Sequence, residues 1–121
     1  MRRATSTPRS TTARGRAAER RARLHYRLRG YKILDANVWI GGRELDVVAR
    51  RGRRLVFCEV KAKRGDGLGD PLEMVGSEKQ RRLRRAAAGW LARHPEAGGL
   101  AMSFDVVAIQ GGRLRRVSEA F

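Results

Sequence analysis

Arg43-Glu44-Leu45-Asp46-Val47-Val48-Ala49 and, after a short basic interval, Leu55-Val56-Phe57-Cys58-Glu59-Val60-Lys61 are two apolar runs carrying ionisable residues where a β-strand interior is normally hydrophobic. A carboxylate buried in apolar surroundings without a partner is strongly disfavoured. An Asp in one strand and a Glu-x-Lys in the next therefore point to a bound cation, a mutual ion pair, or both. Side chains alternate along a strand, so Glu44 and Asp46 share one face, and Glu59 and Lys61 share one face of the neighbouring strand. Pairing the strands predicts that the four gather, with Asp46, Glu59 and Lys61 within roughly 4 to 6 Å of one another, about one metal coordination sphere.

The flanking sequence supplies the remaining elements. Ala13 to Arg29 has helical periodicity, with Ala18, Ala22, His25 and Tyr26 on one face, Arg over most of the rest, and Glu19 at the edge of the apolar stripe. Gly30 is placed to end that helix. A strand from Tyr31 to Ile40 leads through Gly41-Gly42 into a second from Glu44 to Arg50, and Arg51-Gly52-Arg53 turns into a third from Leu55 to Lys63. Arg64 to Gly76, with four Gly and one Pro, reads as a loop, and Ser77 with Gln80 as a capping box. The helix that follows has Leu83, Ala86, Ala87, Trp90 and Leu91 as its stripe and stops at His94-Pro95. Leu100 to Ile109 is a fourth strand, Gly111-Gly112 a turn, and Leu114 to Val117 a short fifth strand.

Composition sets the class. At 121 residues the chain fits one domain, expected over residues 13–121 behind a flexible basic arm at 1–12. With 28 Lys+Arg against 12 Asp+Glu the formal charge is +16, which favours a polyanionic partner, above all nucleic acid. Only four of the 28 are Lys, and so strong an Arg preference is also what genome composition can produce. No apolar run is long enough for a membrane span, and the N-terminal stretch has no apolar core of a secretory signal, so a cytoplasmic location is expected. Cys58 is the only cysteine, excluding an internal disulfide and a Cys cluster for zinc, and it reads as a small core residue.

The Asp, hairpin, Glu-x-Lys arrangement resembles the active-site signature of the PD-(D/E)xK nuclease superfamily, which includes restriction endonucleases and Holliday junction resolvases. Gly30-Tyr31-Lys32-Ile33-Leu34, Asn37, Glu44 to Ala49, Val56 to Lys61, Gly69-Asp70-Pro71, Lys79 to Leu83 and Phe104-Asp105-Val106-Val107 together resemble the uncharacterised bacterial YraN-like family of small endonuclease-like proteins. The likeness runs over roughly residues 16 to 117. It implies an α/β fold with a restriction endonuclease-like core, a mixed β-sheet flanked by helices in the order α-β-β-β-α-β-β. Ala62-Lys63 stands where the family usually has a small hydroxyl residue and Arg, and Ser103 where Arg is common.

The resemblance implies a nuclease-like protein that hydrolyses phosphodiester bonds in DNA, with branched or single-stranded DNA in recombination or repair as its substrate and Mg²⁺ or Mn²⁺ as cofactor. The catalytic candidates are Asp46, Glu59, Lys61 and Glu44, and the metal candidates Asp46, Glu59 and Glu19. Lys61 would position the attacking water and stabilise negative charge; Glu44 would ligate, or orient Lys61 or a water. Lys63, Lys79, Gln80, Arg81 and Arg84 are the nucleic-acid candidates, Lys79 and Gln80 at a helix start where free N–H groups favour phosphate. A homodimer is one arrangement that would cut both strands of a duplex.

Each residue also has a plain reading. Glu59 and Lys61 form a solvated salt bridge on an exposed strand, which the apolar Val56, Phe57, Cys58 and Val60 argue against. Glu19 is a helical i, i+4 partner of Arg23. His25 is a packing residue, His94 a helix-terminal residue meeting the dipole, and Asp105 a structural group holding an Arg. For the whole chain the alternative is a non-catalytic nucleic-acid-binding or adaptor protein that keeps the fold and its basic surface.

Overall fold

The computed structural model describes residues 13–63 and 75–121; the expected basic arm at 1–12 and nearly all of the glycine-rich loop lie outside the described residues. Helix α1 (Ala13–Leu28) is followed by β1 (Lys32–Ile40), β2 (Arg43–Arg51), β3 (Arg54–Ala62), helix α2 (Ser77–Arg93), a 3₁₀ turn (Pro95–Ala97), β4 (Ala101–Gln110) and β5 (Arg113–Val117). The five strands form one sheet in sequence order. Short glycine turns make β1–β2, β2–β3 and β4–β5 antiparallel. The α2 crossover returns the chain in the same direction, so β4 runs parallel to β3. The mixed sheet and the element order are those expected from the resemblance.

The two helices cover opposite faces of the sheet. Ala18, Ala22 and Tyr26 of α1 pack on Val47, Ala49, Val56, Cys58 and Val107. Leu83, Ala86, Ala87 and Trp90 of α2 pack on Val48, Leu55, Phe57, Phe104 and Val106. Burial on both faces explains why Val47-Val48-Ala49 and Leu55 to Cys58 are continuous apolar runs rather than alternating ones. Among the described residues, no helix is long and apolar enough to cross a membrane.

Gly30 ends α1 at φ 88°, a left-handed conformation that lets the Tyr31 N–H return to the Tyr26 carbonyl at 3.0 Å. Helix α2 starts where expected but without a capping box. Gly76 holds the extended N-cap conformation, so Ser77 already lies inside the helix, and Gln80 Nε2 donates to the Val75 carbonyl at 3.1 Å. At the other end His94 stacks on Trp90 and its Nδ1 lies 2.8 Å from the Trp90 carbonyl oxygen, the helix-terminal role expected of it.

Asp105, 1 % exposed, is the structural group the sequence suggests. Its Oδ2 accepts from the Tyr26 hydroxyl at 2.6 Å and Arg116 Nε at 2.9 Å, and its Oδ1 from the Glu119 N–H at 3.1 Å. The carboxylate thus ties α1, β4 and the segment after β5 together, and burial holds the Tyr26 hydroxyl far above its ordinary pKa.

One irregularity decides the geometry of the site. Residues two apart on a regular strand share a face, yet Val47 packs under α1 while Leu45 packs under α2. The break falls at Asp46, opposite Asn37, whose φ of 53° lies between the pairs Ala36–Val47 and Val38–Leu45. Asn tolerates the left-handed conformation better than most residues. With the register kept, this change of side sets Glu44 and Asp46 with Glu19 of α1, whereas an unbroken alternation continued from Val48 would have pointed them toward α2.

Candidate functional site

The β2–β3 ladder runs from the Arg51–Arg54 pair to Val47–Cys58 and no further. Beyond that point β2 stays with β1 while β3 stays with β4, so the sheet forks. In the fork the Asp46 carboxylate supplies what the ladder no longer does: its Oδ2 accepts the Val60 N–H at 2.9 Å. The opening is a cleft of about 460 Å³ bounded by the start of α1 (Gly15, Ala18, Glu19), the β1–β2 hairpin (Trp39, Gly42, Arg43, Glu44), Asp46, the end of β3 (Glu59 to Ala62) and the first turns of α2 (Lys79, Arg82).

Five candidate residues from three elements, α1, β2 and β3, meet here. Glu19, Glu44 and Asp46 are buried, and a carboxylate oxygen of each lies within 4.8 Å of the others. Glu59 and the exposed Lys61 line the same cleft. Glu59 is the charge that acts most strongly on Asp46, and it is itself held by two cations. One of its oxygens is 2.9 Å from Arg43 Nη2 and the other 2.9 Å from Lys79 Nζ. On β3 the side chains alternate regularly, which sets Glu59 on the side of α2 and Lys79, while Asp46 joins Glu19 of α1. Glu44, given the less certain role in the sequence, belongs to the tight cluster.

The electrostatics show the strain of crowding. Burial, then the charge of Glu59, pushes the Asp46 carboxyl well above its ordinary value; the Val60 hydrogen bond opposes the rise, and Glu19 and Glu44 add to it. Glu19 is raised by burial and then by Glu44, with Arg23 pulling it back through its charge. No Glu19–Arg23 ion pair occurs among those formed by the described residues. Three converging carboxylates, two of them raised toward the protonated form, are a set that a divalent cation would relieve, and all-oxygen donors suit a hard ion such as Mg²⁺ or Mn²⁺. The donor set fits such an ion at Glu19, Glu44 and Asp46.

Of the nucleic-acid candidates, Lys79 lines the cleft. Lys63 lies just past β3, half-buried, with its N–H bonded to the Ile109 carbonyl, in a neighbouring hollow with Ala17 and Arg21. Gln80 is spent on the Val75 carbonyl, Arg81 is paired with Glu78, and Arg84 sits over the Phe104 and Phe121 rings at 5.2 and 5.3 Å. Arg43, Arg82 and Trp39 line the cleft and were not among the candidates. Arg82 was legible, being one helical turn from Lys79. Arg43 and Trp39 flank a glycine turn and carry no local signal of the fork they border. His25 packs edge-on against Tyr26, outside the cleft.

Comparison with known proteins places the chain among relatives of similar size. The family model described as "Uncharacterised protein family UPF0102" matches residues 18–109, a span that includes every carboxylate of the cleft. A UPF0102 protein of Acidothermus cellulolyticus is 44 % identical over 104 residues, covering 78 % of this chain and 79 % of the relative. One from Frankia casuarinae is 44 % identical over 101 residues, covering 84 % and 85 %. One from Alkalilimnicola ehrlichii is 38 % identical over 120 residues, covering 99 % and 95 %.

Proposed function

The chain belongs to the uncharacterised protein family UPF0102, the YraN family its motifs resemble, and from that premise we propose that it is a metal-dependent, nuclease-like protein acting on DNA. The observation that carries this reading is the convergence of Glu19, Glu44 and Asp46 within 4.8 Å in a cleft shared with Lys61. Glu19, Glu44 and Asp46 would hold the cation, Mg²⁺ or Mn²⁺. When bound, such an ion polarises a phosphoryl oxygen and lowers the pKa of an attacking water.

The protein's own groups do the rest. Lys61, on the exposed side of the fork, orients the nucleophilic water and offsets negative charge that develops on the phosphoryl group. Arg43, Lys79 and Arg82 line the same cleft, the first two paired with Glu59 and the third with Glu78, so strand phosphates would compete with those carboxylates for them. The surplus of Lys and Arg over the whole chain, +16, adds long-range attraction to a polyanion.

The second reading, a non-catalytic nucleic-acid-binding or adaptor protein, has one observation in its favour: both oxygens of Glu59 are held by cations. The Lys61→Ala variant separates the two. Linear, single-stranded and four-way-junction DNA are incubated with wild type and variant in Mg²⁺, Mn²⁺ or EDTA. A nuclease loses cleavage by orders of magnitude on Lys61→Ala and keeps nearly all of its DNA affinity, since one cation of 28 is removed. Absence of metal-dependent cleavage by the wild type on all three substrates selects the binding reading.

A further inference from the structure

We infer that a DNA strand in the cleft continues over the end of β3 into the neighbouring hollow, where Arg21 and Lys63 hold its phosphates; the inference rests on the DNA-acting reading and extends the footprint of that site. The hollow, about 260 Å³, lies between α1 and the β4–β5 turn. Ala18 and Ala62 line both it and the cleft, so the two adjoin. Ala17, Gly111 and Gly112 add almost no side chain to its wall, which leaves a backbone room to approach. No acid among the described residues lines it.

Charge compensation selects this direction over the other. Toward α2 and the β1–β2 hairpin, Arg43 and Lys79 are held by Glu59 and Arg82 by Glu78, so a phosphate arriving there has to displace a carboxylate. Toward α1 and the β4–β5 turn the balance is reversed. Lys61, Lys63 and Arg21 belong to none of the ion pairs formed by the described residues. Lys61 and Arg21 are exposed and Lys63 is half-buried. The Lys63 N–H continues the pairing with β4 at the Ile109 carbonyl, so the chain is still extended there and the two lysines stand roughly 6.5 Å apart along it. Arg21 carries the row on to α1, with a planar fork suited to phosphate oxygens. Contacts of this kind fix where a strand lies and read no bases, so the hollow sets register in the cleft and leaves sequence preference alone.

Binding is measured on the full chain in EDTA, so that no step depends on cleavage. Fluorescein-labelled dT12 and a 12-base-pair duplex are titrated by anisotropy in about 50 to 200 mM KCl against wild type, Arg21→Ala, Arg21→Lys, Lys63→Ala and Ala17→Glu. Arg20→Ala is the control, removing an equally exposed charge from the same helix outside the hollow. One phosphate contact is about 0.7 in the slope of log K against log salt for a single strand and about 0.9 for a duplex, or about fivefold to eightfold in affinity at 0.1 M salt relative to 1 M. The proposal expects Arg21→Ala and Lys63→Ala each to lower the slope by about one contact on at least one probe, Arg21→Lys to retain it, and Arg20→Ala to leave it unchanged. Ala17→Glu sets a carboxylate one helical turn from Arg21 and should weaken binding at least as much as Arg21→Ala. A wild-type slope for Arg21→Ala on both probes, or an effect no larger than that of Arg20→Ala, overturns the proposal. Should Lys63→Ala fail to fold by circular dichroism, the variants at the exposed α1 positions Arg21 and Ala17 decide. A protein that cuts DNA in Mg²⁺ while Arg21→Ala and Ala17→Glu bind like wild type retains the nuclease reading and loses this one.

Discussion

Replacing Asp46 by Asn separates crowding from folding at the acidic cluster. The Asn side-chain oxygen can still accept the Val60 N–H that Asp46 Oδ2 accepts at 2.9 Å, so the fork keeps its hydrogen bond and loses only a buried charge. Two unit charges at 4.8 Å repel by roughly 3 kcal/mol at an effective dielectric constant of about 20. Proton uptake relieves part of this, leaving about 1–3 kcal/mol to be recovered. For 121 residues the unfolding entropy near 60 °C is roughly 0.25 kcal/mol/K. In EDTA at pH 8 Asp46→Asn should therefore melt about 4–12 °C above the wild type.

The pH dependence has a definite sign. The folded carboxyl of Asp46 is raised above its ordinary 3.8, so the folded state holds this proton more tightly than the unfolded one. Its penalty on stability is absent below about 3.8, grows as pH climbs toward the raised folded value, and is constant above it. The gap between variant and wild type should close on acidification along the same course. Divalent cation closes the gap, and reverses it over most of its about 4–12 °C range. At Mg²⁺ about one hundred times its Kd the wild type gains about 2.7 kcal/mol, roughly 11 °C, while the variant, short of one ligand, gains little. Thermal melts by circular dichroism in EDTA and in a Mg²⁺ series at pH 4, 6 and 8 supply the readout. A variant that melts below the wild type in EDTA at pH 8 would show Asp46 to be a stabilising partner and refute the crowding argument. Equal Mg²⁺ shifts in both proteins would put the ion elsewhere.

Two further outcomes follow from the geometry. Asn37→Gly keeps access to positive φ and should retain the Mg²⁺-induced rise in melting temperature, whereas Asn37→Val, β-branched at φ 53°, should lose about 1–3 kcal/mol and most of that rise; equal behaviour of the two would mean that the backbone at Asn37 does not orient Glu44 and Asp46. Asp105→Ala strands the Tyr26 hydroxyl and the Arg116 guanidinium and should cost about 3–5 kcal/mol, a fall of roughly 12–20 °C by calorimetry; a loss under about 1 kcal/mol would remove the network from the account of the fold.

The sequence alone determined the element order and the ingredients of the site, because both rest on local rules. Apolar runs in the central strands, glycines at the hairpins and helical stripes on both helices correspond to the observed elements to within about one residue at their ends, the capping box at Ser77 aside. The pattern Asp46, Glu59, Lys61 marked the cleft because charge inside apolar strands is informative wherever it occurs. Tertiary structure decided which carboxylates meet. Alternation by itself groups Glu44, Asp46, Glu59 and Lys61, but the change of side opposite Asn37 adds Glu19 to Glu44 and Asp46 and sets Glu59 between Arg43 and Lys79. It also placed Trp39 and Arg43 on the cleft, since the fork that opens it arises where β2 follows β1 and β3 follows β4. A left-handed residue and a divergence of strands depend on partners distant in the chain, so no window of sequence around Asp46 contains them.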